Sequence, residues 1–410
     1  MSKRIAAVLV ALLAIGAVAG LTYYRPTHIS AAPKYVPAPK TFNFGIPISM
    51  SGDQAITGAR QREGFEMALE KINKEGGING LPVRLIFEDD KGTSPGAIAA
   101  VTKMISEDKV IATFMTTRSV IAQALAPIIL DNKVPGITGG SAWSLSELKN
   151  PWLFRVRTDD RTVGSIMAKF IVEDLKAKRI AAIHDTDTFG TGGFVETEKF
   201  LNKLGAKVLT EQKYTSGTKD YTAQWLAIKN VKPDVVFGWG TRLEDDAIIL
   251  RQRGQLGVPG AFIGSASYAS SDVKRIAGDN VEGIYSASGF TVKDSDPRVQ
   301  GFVKAFNAKY HRDPDENSVW TYAGLLTLAD AARRANVVKK EGGKLVMLPV
   351  EEARLAVRDA LSNTKNFETP LATMTADKYG NLNHEMPIIQ IVKGGEEKLV
   401  KVVKVTPEMN

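Results

Sequence analysis

The chain of 410 residues contains no cysteine. That excludes disulfide staples, thiolate metal sites, cysteine nucleophiles and a lipid-modified cysteine behind an export signal. Histidine is scarce as well. His28, His184, His311 and His384 stand far apart, without the spacing of a metal-ligand set. No H-E-x-x-H, no G-x-x-x-x-G-K-[ST] and no G-x-G-x-x-G occurs. With no nucleophile–base set legible, no catalytic residue, metal or cofactor is expected. The formal charge of +8 suggests a polyanion partner, but residues 1–40 hold five Lys/Arg and no acid, which leaves 48 basic against 45 acidic residues in the remainder. That small excess removes the case for nucleic acid.

What is present at the start is an export pattern. Lys3 and Arg4 precede an apolar run from Ile5 to about Leu21 that ends in small residues, the layout of a cleavable signal peptide. The alternative is an uncleaved anchor, since about 17 apolar residues is the lower limit for spanning a membrane. Residues 22–40 hold four prolines and no periodicity, and read as a linker. An exported chain without a lipid anchor fits a periplasm.

From Thr41 short β-rich runs alternate with helical ones. "FNFGIPIS" (42–49), "VRLIFEDD" (83–90) and "VIATFM" (110–115) read as strands, and 57–77 and 94–108 as amphipathic helices between them. The order restarts at "RIAAIHD" (179–185), followed by a glycine-rich loop "TFGTGG", a helix over 194–205 and a strand over 207–212. Apolar strands between amphipathic helices predict α/β architecture with two doubly wound parallel-sheet lobes. The stretch from about 287 is too short and irregular for a third domain, so it completes the first two.

Ligands of such sheets sit beyond the carboxyl ends of the strands. "MTTRS" (115–119) falls at such a strand-to-helix junction, where free N–H groups and the helix dipole favour an anion. Ser119 reads either as a helix cap or as a ligand contact. Arg118, beside it, and Arg242, at the start of a second-lobe helix, are solvated rim charges or carboxylate clamps. Trp239, Phe189, Tyr268, Trp320 and Tyr322 are either core or an aromatic wall.

Read in order, "SMSG" (49–52), the glycine- and alanine-spaced segment 64–80, "FEDDKGTSPGAIAAV" (87–101), "SVIAQALAP" (119–127), "LFRVRTDD" (153–160), "AAIHDTDTFGTGG" (181–193) and "SVWTYAGLLTLADA" (318–331) resemble the type I periplasmic binding proteins of the leucine/isoleucine/valine-binding branch. The resemblance implies two lobes joined by three crossings near 156–160, 284–290 and 380–388, closing on a small ligand. It sets lobe 1 at 41–157 plus 288–385 and lobe 2 at 158–287 plus 386–410. It implies a monomer that hands its ligand to the permease of an ABC importer; a sensor domain that signals to a membrane partner is the alternative. It places the ligand carboxylate on Ser119 and on the loop Gly140, Ser141 and Ala142. Thr57 stands where the family has an aromatic residue, and Phe189 where it has a tyrosine. Ala266, flanked by Ser265 and Ser267, stands where amino acid binders carry the acid that pairs with the ligand ammonium. Asp185 and Asp246 are the possible substitutes; a carboxylate or amide with an apolar or aromatic body is the simpler expectation, and a hydrophobic amino acid is the alternative.

Overall fold

Six of the seven residues of Phe42–Ile48 (β1) are buried, which is possible only for a strand inside a sheet covered on both faces. The computed structural model, which describes residues 34–383 and 385–404, places it there. The expected signal segment, the first part of the linker, His28 and His384 lie outside the described residues. Every element discussed here belongs to the unit Val36–Asn410.

β1 lies between Val83–Asp89 (β2) and Ala112–Met115 (β3), followed by Gly136–Thr138 (β4) and Leu153–Arg155 (β5). The order is β2-β1-β3-β4-β5 and every pairing is parallel. A second sheet takes Ile180–Asp185 (β6), Val208–Tyr214 (β7), Val235–Trp239 (β8), Ala261–Gly264 (β9) and Tyr285–Ala287 (β10). It ends in Glu385–Ile391 (β11) and Glu397–Lys404 (β12), in the order β12-β11-β10-β9-β8-β6-β7. The pairings of β11 with β10 and of β12 with β11 are antiparallel, so the second sheet is parallel only over its first five strands.

The chain leaves the first sheet after Arg155, and β10 is the last strand of its run in the second. The stretch that follows packs on the first sheet: the helix Glu316–Arg334 (α4) lies along Ala55–Lys74 (α1). Gly64 makes that approach possible, because a Cβ there would lie 2.0 Å from the Ser318 carbonyl oxygen. Phe65 of α1 meets Phe114 edge-on at 4.7 Å, and Trp320 packs against both rings. Trp320, Trp239 and Tyr268 are core residues, each about 1% exposed or less. The half-buried Tyr322 packs on Phe302.

One local expectation fails instructively. "TFGTGG" is not a loop but the first turns of the helix Thr188–Lys203 (α3), capped by Asp187, which accepts from Thr188 N–H. Glycine normally weakens a helix by about 1 kcal/mol. Here Gly193 is forced by its neighbour, since a Cβ would lie 2.2 Å from the Trp239 ring.

Candidate ligand-binding cleft

Between the two sheets lies a cavity of about 670 Å³. Part of its wall is built at strand ends, where the backbone turns into the next helix. The first sheet contributes Thr57, on the first turn of α1, and Thr117 and Arg118, between β3 and Ser119–Asp131 (α2). The second contributes Phe189 on α3, Gly240 and Thr241 after β8, and Ala266 and Ser267 after β9. Phe290, Arg157 and Glu316 line it from the segments around the crossings, and Arg157 is paired with Glu316 at 2.5 Å.

Ion pairs link the two sides of this opening. Arg118 is the N-cap residue of α2 and donates to the Gly92 carbonyl and, at 2.8 Å, to Asp187 at the N-cap of α3. Asp53 lies 4.0 Å from Arg118 and 3.9 Å from Arg242. Arg60 on α1 reaches Asp272 with two hydrogen bonds. Burial alone would raise the Asp272 carboxyl, but Arg60 and Arg275 outweigh it and hold it below the usual carboxylate range.

Of the residues expected from sequence, Thr57, Arg118, Phe189, Ala266 and Ser267 meet on the cavity wall. Ser119, Gly140, Ser141, Ala142 and Arg242 do not. Ser119 is not the cap of α2, because Arg118 takes the N-cap position. Its hydroxyl, buried, accepts from Ala142 N–H at 3.1 Å. The loop after β4 is closed on itself in the same way. Gly140 N–H is taken by Thr138 Oγ1, and the buried Arg155 guanidinium donates to the carbonyls of Gly140 and Ala142. The Gly140 and Ala142 N–H groups expected to hold a carboxylate are thus taken inside the protein.

Neither substitute acid reaches the wall. Asp185 accepts from the N–H groups of Asp187 and Thr241, and burial pushes its carboxyl up to about 6. Asp246 is fully buried, which raises its carboxyl well above the ordinary range. Gly240 leaves room for it, since a Cβ there would lie 1.7 Å from Asp246 Oδ1.

Two α/β units facing each other across a solute-sized cavity match a known family, the periplasmic binding proteins, over residues 41–396. The chain belongs to that family. It is similar to a leucine-, isoleucine-, valine-, threonine- and alanine-binding protein of Pseudomonas aeruginosa, 28% identical over 87% of this chain and 91% of the relative. A leucine-binding protein of Thermotoga maritima MSB8 superposes with a TM-score of 0.79 at 24% identity, over 90% of this chain and 99% of that one. A solute-binding protein of an ABC transporter from R. palustris, solved with benzoate, superposes with a TM-score of 0.78 at 18% identity, over 89% and 97%. As in the family, the role is solute binding.

Thr117 lies in the "MTTRS" junction that the sequence reading turned toward the crevice, whereas Gln54, Thr241, Arg157 and Glu316 were missed. Three of these four carry no pattern that sets them apart from ordinary turn or helix residues. Arg157 lies inside the "LFRVRTDD" motif, at a crossing, and that position was a usable signal.

Proposed function

We propose that this chain is an exported, periplasmic solute-binding protein that captures a small ligand between two closing lobes and presents it to the permease of an ABC importer. The observation that carries this reading is the cavity whose wall comes from both sheets: Thr57 and Arg118 on one side, Phe189 and Ser267 on the other. A solute touching both sides favours the closed arrangement by the difference in its affinity for the two states. The lobes are 41–157 with 288–385 and 158–287 with 386–410, as the switch of sheets after β5 and the antiparallel pair β11–β12 support. Among the described residues no helix is long and apolar enough to cross a membrane, in keeping with a lobe pair outside the bilayer. In this reading the chain acts as a monomer, and the cleft binds and releases without making or breaking a bond.

The test is a thermal-shift screen of the purified chain against amino acids, carboxylic acids and amides. A ligand at ~100 times its Kd adds about 2.7 kcal/mol. At least one small solute should therefore raise the melting temperature by several degrees. A flat response to all three classes contradicts the reading.

A further inference from the structure

We infer that the cleft selects carboxylates that lack an α-ammonium group, with Gln54 as the donor that sets this preference. The inference rests on the solute-binding reading of the same cavity and narrows it to a ligand class.

Gln54 lines the cavity, is 4% exposed, and its Nε2 has no hydrogen-bond partner among the described residues. It is not free to turn away. It closes the turn Gly52–Gln54 that enters α1, and its stem lies over Gly92, where a Cβ would come within 3.3 Å of Gln54 Cβ and Cγ. Gly92 has φ +66°, so the close approach and the backbone conformation both call for glycine there. A buried amide N–H₂ left unpaired is costly, and a ligand oxygen relieves that cost.

Among the other described lining residues, Arg118 Nε, Thr241 Oγ1, Ser271 Oγ and Asp315 Oδ2 are buried and make no good hydrogen bond, and Arg118, which reaches Gly92 beside Gln54, can only donate. Thr241 gives its N–H to Asp185, and its hydroxyl, which also acts on that carboxyl, can donate or accept. Arg118 has its terminal nitrogens on Gly92 and Asp187, which leaves Nε. The unpaired nitrogens of Gln54 and Arg118, which can only donate, favour an oxygen-rich group on this side of the cavity.

The acids tell the same story by their placement. At the strand ends, from Gln54 and Thr57 through Thr117 and Phe189 to Thr241 and Ser267, the wall carries no acid among the described residues. The acids that do line the cavity come from other segments. They are Asp279, Asp313, Asp315, Glu316, Glu396 and Glu397; Glu316 is held by Arg157 and Gly289 N–H, Glu397 by Lys274 and Thr291, and Asp315 accepts from Ser318 N–H. An α-ammonium brought beside Gln54 meets donors, and the acids on this side already face arginines: Asp187 faces Arg118, and Asp53 faces Arg118 and Arg242. A carboxylate meets the donors alone, with Phe189, Ala266 and Leu243 for an apolar body. A site built to hydrogen-bond one group discriminates strongly against a ligand that leaves its buried polar groups unmatched.

The experiment is paired calorimetric titration of the full-length chain with 4-methylpentanoate against leucine and 3-phenylpropanoate against phenylalanine. In at least one pair the acid should bind tenfold or more tightly than its amino acid, an arbitrary but clear margin. Gln54→Leu should lose about tenfold in affinity for that acid while melting no lower than the parent, because it also removes an unpaired buried donor. Gln54→Glu should weaken the acid further and strengthen the amino acid. If Gln54→Leu fails to fold by circular dichroism, Gln54→Met replaces it. Tighter binding of the amino acids, no binding in either pair, or parental affinities in the Gln54 variants overturns the inference. The broader solute-binding reading falls only if the thermal-shift screen is also flat.

Discussion

Arg60 and Asp272 lie 212 residues apart in the chain, yet the guanidinium donates to both carboxylate oxygens, Nε at 3.0 Å and Nη2 at 3.3 Å. One stands on α1 beside the first sheet and the other on the helix Ser271–Ala277 of the second. Their pairing therefore exists only while the two sides are together. Exposed pairs contribute little, but this one is two-pronged and Asp272 is only 5% exposed. Arg60→Ala and Asp272→Asn should each weaken ligand binding by about 3- to 10-fold through loss of the closed form. The double variant should lose less than the two effects multiplied, with a coupling of about 0.5–2 kcal/mol by calorimetry. Fully additive losses would mean that the pair does not report on closure.

Arg118 bridges in a different way, with one terminal nitrogen on Gly92 and the other on Asp187. A lysine ammonium is a point donor and cannot span the two acceptors. Arg118→Lys, which keeps the charge, should therefore lower ligand affinity by about 3- to 10-fold. If only the charge mattered, the lysine variant would titrate like the parent.

Asp160 gives stability a dependence on pH. It is fully buried beside the first crossing, and burial pushes its carboxyl up to about 7, against the opposing pull of Arg155 and Arg157. Between its ordinary value of 3.8 and about 7 the folded chain binds more proton at this site than the unfolded chain. The slope of stability with pH is then negative, and the contribution present below 3.8 is lost as pH rises through about 7. The melting temperature of Asp160→Asn should exceed the parent's at pH 8, and the gap should shrink toward pH 5. An equal gap at both values would exclude Asp160 as the titrating group.

Gly193→Ala tests why a glycine sits in a helix. Helix propensity alone makes this change stabilising by about 1 kcal/mol. The Trp239 ring, 2.2 Å from the added methyl, should reverse the sign and give a loss of about 1–3 kcal/mol in denaturant unfolding, with a shift in tryptophan emission.

The contrast between those two effects also marks what a sequence can disclose. Alternating apolar strands and amphipathic helices made both sheets legible, because burial on two faces leaves a local pattern in β1, β3 and β6. "TFGTGG" misled because its glycines answer to Trp239 and Asp185, which reach them only in the fold. Ser119 was expected as a cap or a ligand contact, and its actual partner, Ala142, is 23 positions away. Thr57, Phe189, Ala266 and Ser267 were marked through position in a family pattern and Arg118 by its place at a strand-to-helix junction, and all five lie on the cavity wall. Gln54 had no such marker, since what distinguishes it is a missing partner in three dimensions.

Closure of the two lobes on a solute is read out by small-angle X-ray scattering of the chain with and without a ligand found by thermal shift. The radius of gyration and the maximum dimension should both fall at saturation, and Arg60→Ala should need more ligand to reach the same compact profile. Superimposable profiles for the free and saturated protein would contradict it.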